Sequence, residues 1–280
     1  MKSFLSISKN NTIQSICIGK FDGVHLAHRS VFASMPQEDS LVLLILREKE
    51  RFALTPNPQE FISLPVYFLE LERVREMGDR EFADFLLHHL PHLKSIVVGY
   101  DFLFGKNRSY TPRDLQEFFE VIIVPEVRLE GESIHTQNII ESLKNGDIAR
   151  ANAMLGRAYA ISGEVVKGQG VGGRELVPTL NLIAKGYILP QSGVYATISE
   201  IEGVRYKSVS FLGHRLSTDG EFAIESHLLD TYLPQAPKNL KIHFFQKIRE
   251  NQKFDSLLEL REQISQDILQ AKKILDMHSI

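Results

Sequence analysis

The first half of the chain alternates between short, continuous apolar runs and segments whose apolar residues recur at helical spacing. The runs are SICIG (15–19), SLVLLIL (40–46), SIVVG (95–99) and FEVIIVP (119–125). Such short, β-branched runs are typical of strands buried on both faces. Residues 80–90 have apolar side chains at helical spacing, namely Phe82, Phe85, Leu86 and Leu90. This alternation predicts an α/β fold with a doubly wound parallel sheet, in which ligands bind beyond the carboxyl ends of the strands.

The pattern changes after about residue 150, so we expect two domains, 1–150 and 151–280. The strand-like pieces there are AISGEVVKG, PTLNLI, GVYATISEI, VRYKSVSFLG, FAIESHLL and LKIHFFQKI, separated by turn-forming residues. They predict an antiparallel barrel or sandwich. TQNIIESLKNGDIARANAMLG is a helical linker in this interpretation.

A closing helix is predicted from Ser256 and Glu259, which form a capping box. Its apolar stripe is Leu257, Leu260, Ile264, Ile268 and Leu275.

Charge and cysteine content exclude several classes of partner. The formal net charge is −3 with both signs interspersed, which gives no electrostatic footprint for a nucleic acid. Cys17 is the single cysteine, so no disulfide framework and no thiolate metal site can form within one chain. The aliphatic run 41–46 is too short to span a bilayer, and residues 1–11 do not have the apolar core of a signal peptide. We therefore expect a cytoplasmic protein with no membrane partner.

The stretch GKFDGVHLAHR, residues 19–29, follows the first apolar run and carries two histidines. If a helix begins near Val24, His25 and His28 lie one turn apart on one face, close to the positive end of the helix dipole. Backbone N–H groups and imidazoles at that place suit a polyphosphate. The alternative is that His28 only caps or packs against the helix.

Several motifs carry a resemblance to one family. GKFDGVHLAH resembles the G-x-F-D-G-x-H-x-G-H signature of the HxGH nucleotidylyltransferases, and SIVVGYDFLFG resembles the VVGxDFxFG segment of their flavin-handling branch. SGEVVKGQGVGGRELVPTLNL is similar to a glycine-rich loop that ends in PTxN, and IESHLLD to an ExHLLDF strand. In this order they resemble the bacterial bifunctional riboflavin kinase/FAD synthetase family over nearly the whole chain.

The resemblance implies a nucleotidylyltransferase-like domain at 1–150 that transfers AMP from ATP to FMN, giving FAD. It implies a riboflavin kinase β-barrel with a closing helix at 151–280. The implied catalytic residues are His25, His28 and Glu225. The implied nucleotide-binding and phosphate-binding residues are Gly19, Phe21, Asp22, Gly23, Gly173, Arg174, Thr179 and Asn181. Asp101, Phe102 and Arg108 are implied to bind flavin, and Thr179 and Asn181 to hold Mg²⁺ or a similar divalent cation.

The residues of the second half also suggest kinase chemistry by themselves. Thr179 and Asn181 occupy alternate positions, so in a strand their hydroxyl and amide oxygens share one face and can ligate Mg²⁺ or orient ATP. Glu225 is the one carboxylate between Ile224 and the pair Leu228 and Leu229, where partial desolvation suits a general base. The alternatives are turn residues after a proline and a surface charge on an edge strand.

Departures from the family pattern leave three functions open. Ala27 stands where the signature has glycine. Ile140 stands where the family has an arginine that grips ATP, and His135 and Thr136 replace serines. Compensating cations are present at Lys20, Arg29, Lys106 and Arg108. The leading interpretation is the bifunctional enzyme. The alternatives are a riboflavin kinase with an impaired adenylyltransferase module and a non-catalytic flavin-binding protein.

Overall fold

A computed structural model describes residues 2–47, 52–167, 177–217, 220–231 and 233–277. The contacts divide the chain into two compact units, Met1–Thr136 and Gln137–Ile280. This division falls 14 residues before the one expected from sequence, because residues 137–150 group with the second unit. The assignment of one activity to each side of residue 150 stays a prediction.

The first unit is built on a six-stranded sheet in which every pair of neighbours is parallel. Its strands are β1 (Lys2–Ser3), β2 (Ser15–Gly19), β3 (Ser40–Leu46), β4 (Val66–Glu70), β5 (Ser95–Gly99) and β6 (Glu120–Val124), in the order β1-β4-β3-β2-β5-β6. The helices are α1 (Leu26–Ala33), α2 (Asp79–His89) and α3 (Pro112–Leu115). A small hairpin of β7 (Arg128–Leu129) and β8 (Glu132–Ser133) follows β6. The predicted parallel sheet is confirmed.

Both faces of the sheet are buried at its central strands β2, β3 and β5, which explains why these strands have continuous apolar runs. Ile16 of β2 belongs to the apolar cluster that includes Leu86 of α2. Cys17, the next residue, belongs to the cluster on the other face with Val31 of α1. The same alternation follows from the pleat of every central strand. The central strands therefore have no solvent-facing side on which polar residues would alternate with apolar ones.

The strand order reverses direction between β2 and β5. These two strands are parallel neighbours with Ser15 opposite Ser95, and they end at Gly19 and Gly99. In doubly wound sheets such a reversal opens a crevice at the carboxyl ends of the strands. The loops after β2 and β5 therefore lie side by side at the place where this fold binds ligands.

The second unit is a closed antiparallel barrel with helices, so the barrel is confirmed and the sandwich is wrong. The helix α4 spans Thr136–Lys144 and α5 spans Ile148–Leu155. The strands are β9 (Tyr159–Val166), β10 (Leu180–Ile183), β11 (Gly193–Ile201), β12 (Val204–His214), β13 (Phe222–Leu228) and β14 (Asn239–Arg249). They close in the order β10-β13-β12-β11-β14-β9. No helix among the described residues is long and apolar enough to cross a membrane.

The last helix, α6 (Leu257–Asp276), begins where the sequence predicts. The Ser256 hydroxyl accepts a hydrogen bond from the Glu259 N–H at 3.2 Å. Ala271, Ile274 and Leu275 of α6 pack on barrel residues in one apolar cluster. Leu257, which was expected in the stripe, is 47% exposed. The helix covers the barrel mainly with its C-terminal half.

The barrel interior contains a ring of buried hydroxyl groups. Its members are Thr197, Ser199, Ser208, Ser210 and Ser226, all 0–1% exposed. Their side-chain oxygens are joined by hydrogen bonds of 2.7 to 3.1 Å. Buried polar groups destabilise a fold unless they are hydrogen-bonded. This network satisfies its own members, so small polar residues fill the barrel without that penalty.

Candidate active sites in the two units

The first candidate site is the tight loop that joins β2 to α1. A Cβ atom on Gly19 would lie 2.8 Å from the Phe21 ring, so glycine is required there. Phe21, Gly23 and Val24 have φ angles of 48°, 85° and 42°. Positive φ is costly for a β-branched residue such as Val24, and backbone strain of this kind concentrates at functional sites. The loop folds back sharply and places the start of α1 beside the end of β2.

The two signature histidines lie against one another at the start of α1. The helix begins at Leu26, two residues later than expected, and His25 is its N-cap. The His25 ring stacks on the His28 ring with centroids 3.5 Å apart, and His25 Nδ1 accepts from the His28 N–H at 3.4 Å. We assign the His25 proton to Nε2 from this bond. Nε2 lies 3.4 Å from the Thr136 hydroxyl, which donates to the Asp22 carbonyl at 3.2 Å.

The His28 ring is neutral, and one of its two nitrogens makes no hydrogen bond to any described residue. Burial, followed by the nearby His25 and His135 rings, holds the pKa of His28 well below 6.5. Its Nδ1 atom is buried and has no hydrogen-bond partner in the described part of the chain. The Phe21 ring packs edge-on against it, with centroids 5.2 Å apart. A buried polar atom without a partner is costly, so this nitrogen is suited to a ligand atom.

Asp22 stabilises the loop. Its carboxylate accepts hydrogen bonds from the N–H groups of Leu54 and Thr55 at 3.2 and 3.1 Å. These contacts connect the signature loop to the segment after β3. The nucleotide-binding role of Gly19, Phe21, Asp22 and Gly23 stays a prediction, and the structure gives each of them a part in shaping the loop. Ala27 lies half-buried in the first turn of α1.

A second group of polar side chains follows β5 and β6 in the same unit. The Tyr100 hydroxyl lies 3.0 Å from His135 Nε2 and donates to Glu126 Oε1 at 3.3 Å. His135 Nδ1 lies 3.9 Å from Asp101 Oδ2. Ser133 and Arg128 also contact the Glu126 carboxylate, and their hydrogen bonds lower its pKa. Sequence reasoning named only Asp101 and His135 here; the available signal was that Tyr100 and Glu126 follow adjacent strand ends.

The predicted flavin-binding residues differ in burial. Phe102 packs against the core of the sheet, with its ring 5.8 Å from that of Phe104. Asp101 is 60% exposed in its side chain, and Arg108 is exposed with a φ of 57°. Phe102 therefore has a packing role in this structure. Flavin binding by all three stays a prediction.

The four cations named in the sequence analysis differ in burial. Lys20 and Lys106 are exposed, as is Arg108, whereas Arg29 is half-buried in α1. Ile140 is half-buried within α4.

The second candidate site is a cavity of about 170 Å³ in the barrel unit. Its walls come from the barrel strands, from the segment after β14 and from α6. The lining residues used below are Thr179, Arg215, Glu225, His227, Arg249, Phe254 and Asp267. The structure therefore brings two predicted residues, Thr179 and Glu225, to one cavity. The third, Asn181, is outside the lining but pairs with Glu225 across the β10–β13 ladder.

Glu225 lies close to a cation. Its Oε1 atom is 3.3 Å from Arg215 Nη1, with side-chain exposures of 20% and 22%. His227, two residues further along β13, has its Nδ1 atom 2.8 Å from the Pro178 carbonyl, so Nδ1 carries a proton and donates. This bond holds the backbone just before Thr179. Two other predicted phosphate-binding residues, Gly173 and Arg174, lie outside the described residues.

A buried ion pair also lines the cavity. Arg249 donates to Asp267 through Nε at 2.9 Å and through Nη2 at 2.8 Å. The Asp267 side chain is 4% exposed, and the Arg249 guanidinium lies 5.6 Å from the Phe254 ring centroid. Sequence reasoning missed this pair. The signal that could have found it is an aspartate between Ile264 and Ile268 on the apolar stripe of α6.

Comparisons with known proteins find relatives that cover both units of the chain. The family model described as "Flavokinase: Riboflavin kinase" matches residues 155–275. The chain is 31% identical to the bifunctional riboflavin kinase/FMN adenylyltransferase of Haemophilus influenzae, covering 92% of this chain and 93% of that protein. The Bacillus subtilis protein of the same name is 30% identical, with coverages of 90% and 89%.

A solved Streptococcus pneumoniae structure, described as a macrolide-efflux protein, matches with a TM-score of 0.83 over 97% of each chain. At 24% identity this likeness shows the fold alone. The sequence relatives, by contrast, cover both units at 30% identity or more. The chain belongs to the bifunctional riboflavin kinase/FMN adenylyltransferase family.

Proposed function

We propose that this chain phosphorylates riboflavin to FMN and then adenylylates FMN to FAD, with one ATP used in each step. We assign adenylylation to residues 1–150 and phosphorylation to residues 151–280. The observation that carries the proposal is Glu225 and Thr179 at one cavity, within a barrel that matches the riboflavin kinase model. The cytoplasm is the proposed compartment, since the lone buried Cys17 needs no oxidising environment.

In the kinase step, Glu225 is the general base. Its carboxylate takes the proton from the terminal ribityl hydroxyl, whose oxygen attacks the γ-phosphorus of ATP while ADP leaves. Arg215, 3.3 Å away, orients the carboxylate. The mostly apolar wall of α6 excludes water from the acceptor. This arrangement accounts for a carboxylate in an otherwise uncharged stretch of β13.

A divalent cation, Mg²⁺ in this proposal, fits the oxygen atoms of Thr179 and Asn181. The described residues contain no cluster of three or more His, Cys, Asp or Glu side chains that could hold a metal. Mg²⁺ is commonly held by few protein oxygens together with the phosphates of its nucleotide. One hydroxyl and one amide oxygen beside the base therefore suit a cation that arrives with ATP. The ion would neutralise charge on the transferred phosphoryl group.

In the adenylylation step, the start of α1 binds the triphosphate. An oxygen of the FMN phosphate attacks the α-phosphorus of ATP, and pyrophosphate leaves. The N–H groups at the very start of α1 and the stacked His25 and His28 rings supply donors to the developing charge. The unpartnered Nδ1 of His28 is the atom with unused hydrogen-bonding capacity.

A product analysis tests the proposal. Purified protein is incubated with riboflavin, ATP and Mg²⁺, and the flavins are separated by chromatography over time. We expect FMN to form first and FAD to follow, and we expect FAD directly when FMN replaces riboflavin. A parallel reaction with EDTA should stop both steps. Unchanged riboflavin and unchanged FMN in the complete mixture would overturn the proposal.

A further inference from the structure

The segment of residues 214–217, at the end of β12, brings Arg215 to Glu225 in the barrel cavity. The Arg215 N–H donates to the Glu221 carbonyl, and the Arg215 carbonyl accepts from the Gly220 N–H, both at 3.0 Å. These bonds join the segment to the chain just before β13. Because the mechanism above relies on Arg215 to orient the carboxylate, the contacts that fix this segment also bear on the kinase step.

A second set of hydrogen bonds reaches the same segment from the chain just after β14. The Asn251 side-chain amide donates to the His214 carbonyl at 2.7 Å, and the Ser217 hydroxyl accepts from the Phe254 N–H at 2.9 Å. The two bonds flank Arg215, one residue before it and two residues after it. The backbone that carries Arg215 is therefore fixed at two points from β14, a strand that does not pair with β12.

The approach of Asn251 depends on a glycine. A Cβ atom on Gly213 would lie 3.2 Å from Asn251 Nδ2 and 3.0 Å from the Ser192 Cβ atom, and Gly213 has a φ of 147°. A side chain at this position would crowd the amide that reaches the His214 carbonyl. The end of β12 is thus shaped to accept the Asn251 side chain.

The chain after β14 is itself fixed by α6. Arg249, the last residue of β14, is hydrogen-bonded to Asp267 of α6. Its guanidinium lies 5.6 Å from the Phe254 ring centroid, a distance at which a cation and an aromatic ring attract one another. A continuous set of contacts therefore runs from α6 through the chain after β14 to Arg215 and Glu225.

We propose that Asn251 and Ser217 are positioning residues of the kinase step: their hydrogen bonds hold Arg215 where its guanidinium keeps the Glu225 carboxylate aimed at the acceptor hydroxyl. This role rests on the proposed function. A general base must lie within hydrogen-bond reach of the proton that it removes, and a displacement of about 1 Å can lower a rate about a hundredfold. The effect of both residues passes through Arg215, and neither needs to touch a substrate.

Steady-state kinetics of FMN formation by the full-length protein test this role. Asn251→Ala and Ser217→Ala should each lower kcat by about tenfold to a hundredfold, with a smaller change in the KM for ATP. Ser217→Thr, which keeps the accepting hydroxyl, should retain most of the wild-type kcat. The control Ser265→Ala removes an exposed hydroxyl of α6 that donates to the Arg261 carbonyl at 3.0 Å, and it should match the wild type. FAD formation from added FMN should be equal in all of these proteins.

A double-mutant cycle with Arg215→Met separates positioning from a direct contact with riboflavin. Arg215→Met alone should lower kcat. Adding Asn251→Ala to Arg215→Met should then change kcat by less than about twofold, because two residues that act through one contact are not additive. An equal loss from Asn251→Ala with and without Arg215 would overturn the inference. Wild-type kcat in both Asn251→Ala and Ser217→Ala would do the same.

Hydrogen exchange without substrates separates this inference from the proposed function. Amide exchange reports local opening, so residues 213–217 should exchange faster in Asn251→Ala than in the wild type and in Ser265→Ala. If Asn251→Ala does not fold, Ser217→Ala decides by the same measurements. A wild type that forms no FMN overturns the proposed function and with it the role in the kinase step. An active wild type with unchanged exchange in both variants overturns the inference alone.

Discussion

Asn181 of β10 lies directly opposite Glu225 of β13 in the closed barrel. The pairing places an amide-bearing and a carboxylate-bearing residue on adjacent strands, and Thr179 lines the cavity one residue before β10 begins. A phosphate-bound cation held by the first strand would lie beside a base on the second. Phosphoryl transfer needs these two groups at a short, fixed separation. The barrel register fixes the pairing of these two positions.

Glu225→Gln should abolish most FMN formation. The substitution keeps the size of the side chain and removes the proton acceptor, and general-base catalysis contributes about a hundredfold to ten-thousandfold in rate. We expect a fall of that order in kcat for riboflavin phosphorylation. Riboflavin binding, followed by quenching of flavin fluorescence, should remain close to that of the wild type.

Two controls accompany the Glu225 variant. Glu262→Gln alters an exposed carboxylate on α6 and should leave kcat unchanged. FAD formation from added FMN should continue in Glu225→Gln, since the first unit is untouched. A Glu225→Gln protein with kcat near the wild-type value would show that another group accepts the proton.

Much of the fold was predictable because its signals are local. The runs at β2, β3, β5 and β6 contain no polar side chain after their first residue, as is typical of strands in a sheet that is covered on both faces. The helix after Ser256 was predictable for the same reason, since its cap lies within four residues. The barrel closure was less certain from sequence. Whether six strands close or stack as two sheets depends on pairing between β9 and β14, which are about 80 residues apart.

The site residues that sequence reasoning missed have partners far away in the chain. Asp267 is hydrogen-bonded to Arg249, and Tyr100 to Glu126 and His135. No spacing rule links such residues, because the fold brings them together. His25 illustrates a different difficulty. Its N-cap role shifts the start of α1 to Leu26, and an imidazole acting as a cap is not among the usual capping signals.

Asp267→Ala should strongly destabilise the barrel unit. It would leave the Arg249 guanidinium in a largely buried place without its carboxylate, and breaking a buried ion pair costs about 3 to 5 kcal/mol. Urea unfolding should show a fall of that size in the free energy of unfolding. Arg249→Met combined with Asp267→Leu should recover much of the loss, since no unpaired charge remains.

The matched control for Asp267 is Asp276→Ala. Asp276, on the same helix as Asp267, pairs with Lys207 of β12, with side-chain exposures of 66% and 41%. Exposed ion pairs contribute about 0 to 1 kcal/mol. Equal destabilisation by the two substitutions would contradict the burial argument.

Cys17 should be unreactive in the folded protein. It lies in the middle of β2 with no exposed surface, and desolvation by burial raises the pKa of its thiol well above the usual range. The thiolate is the reactive form, so neither access nor ionisation favours reaction. Titration with a thiol-specific disulfide reagent at neutral pH should find no reactive group in native protein and one in urea. Rapid reaction of the native protein would contradict the described position of β2.

His28 should make the protein less stable in mild acid. Burial and the nearby His25 and His135 rings hold its pKa well below 6.5 in the folded state, whereas in the unfolded chain it returns to its ordinary value. Below pH 6.5 the unfolded chain therefore binds a proton that the folded chain refuses. Stability rises with pH wherever the unfolded state binds more protons. As far as His28 is concerned, the free energy of unfolding should thus have its full value above pH 6.5 and should decrease as the pH falls below 6.5.

Urea unfolding of the wild type and His28→Gln at about pH 7.5 and about pH 5.5, on either side of the ordinary histidine pKa, measures this effect. His28→Gln should lose less stability than the wild type between the two values. His89 and His243 also have lowered pKa values, but both proteins share them, so their contribution cancels in the difference. An identical loss in the two proteins would mean that the His28 ring accepts a proton in the folded state, and with it that the buried, unpartnered Nδ1 is not kept neutral for a ligand.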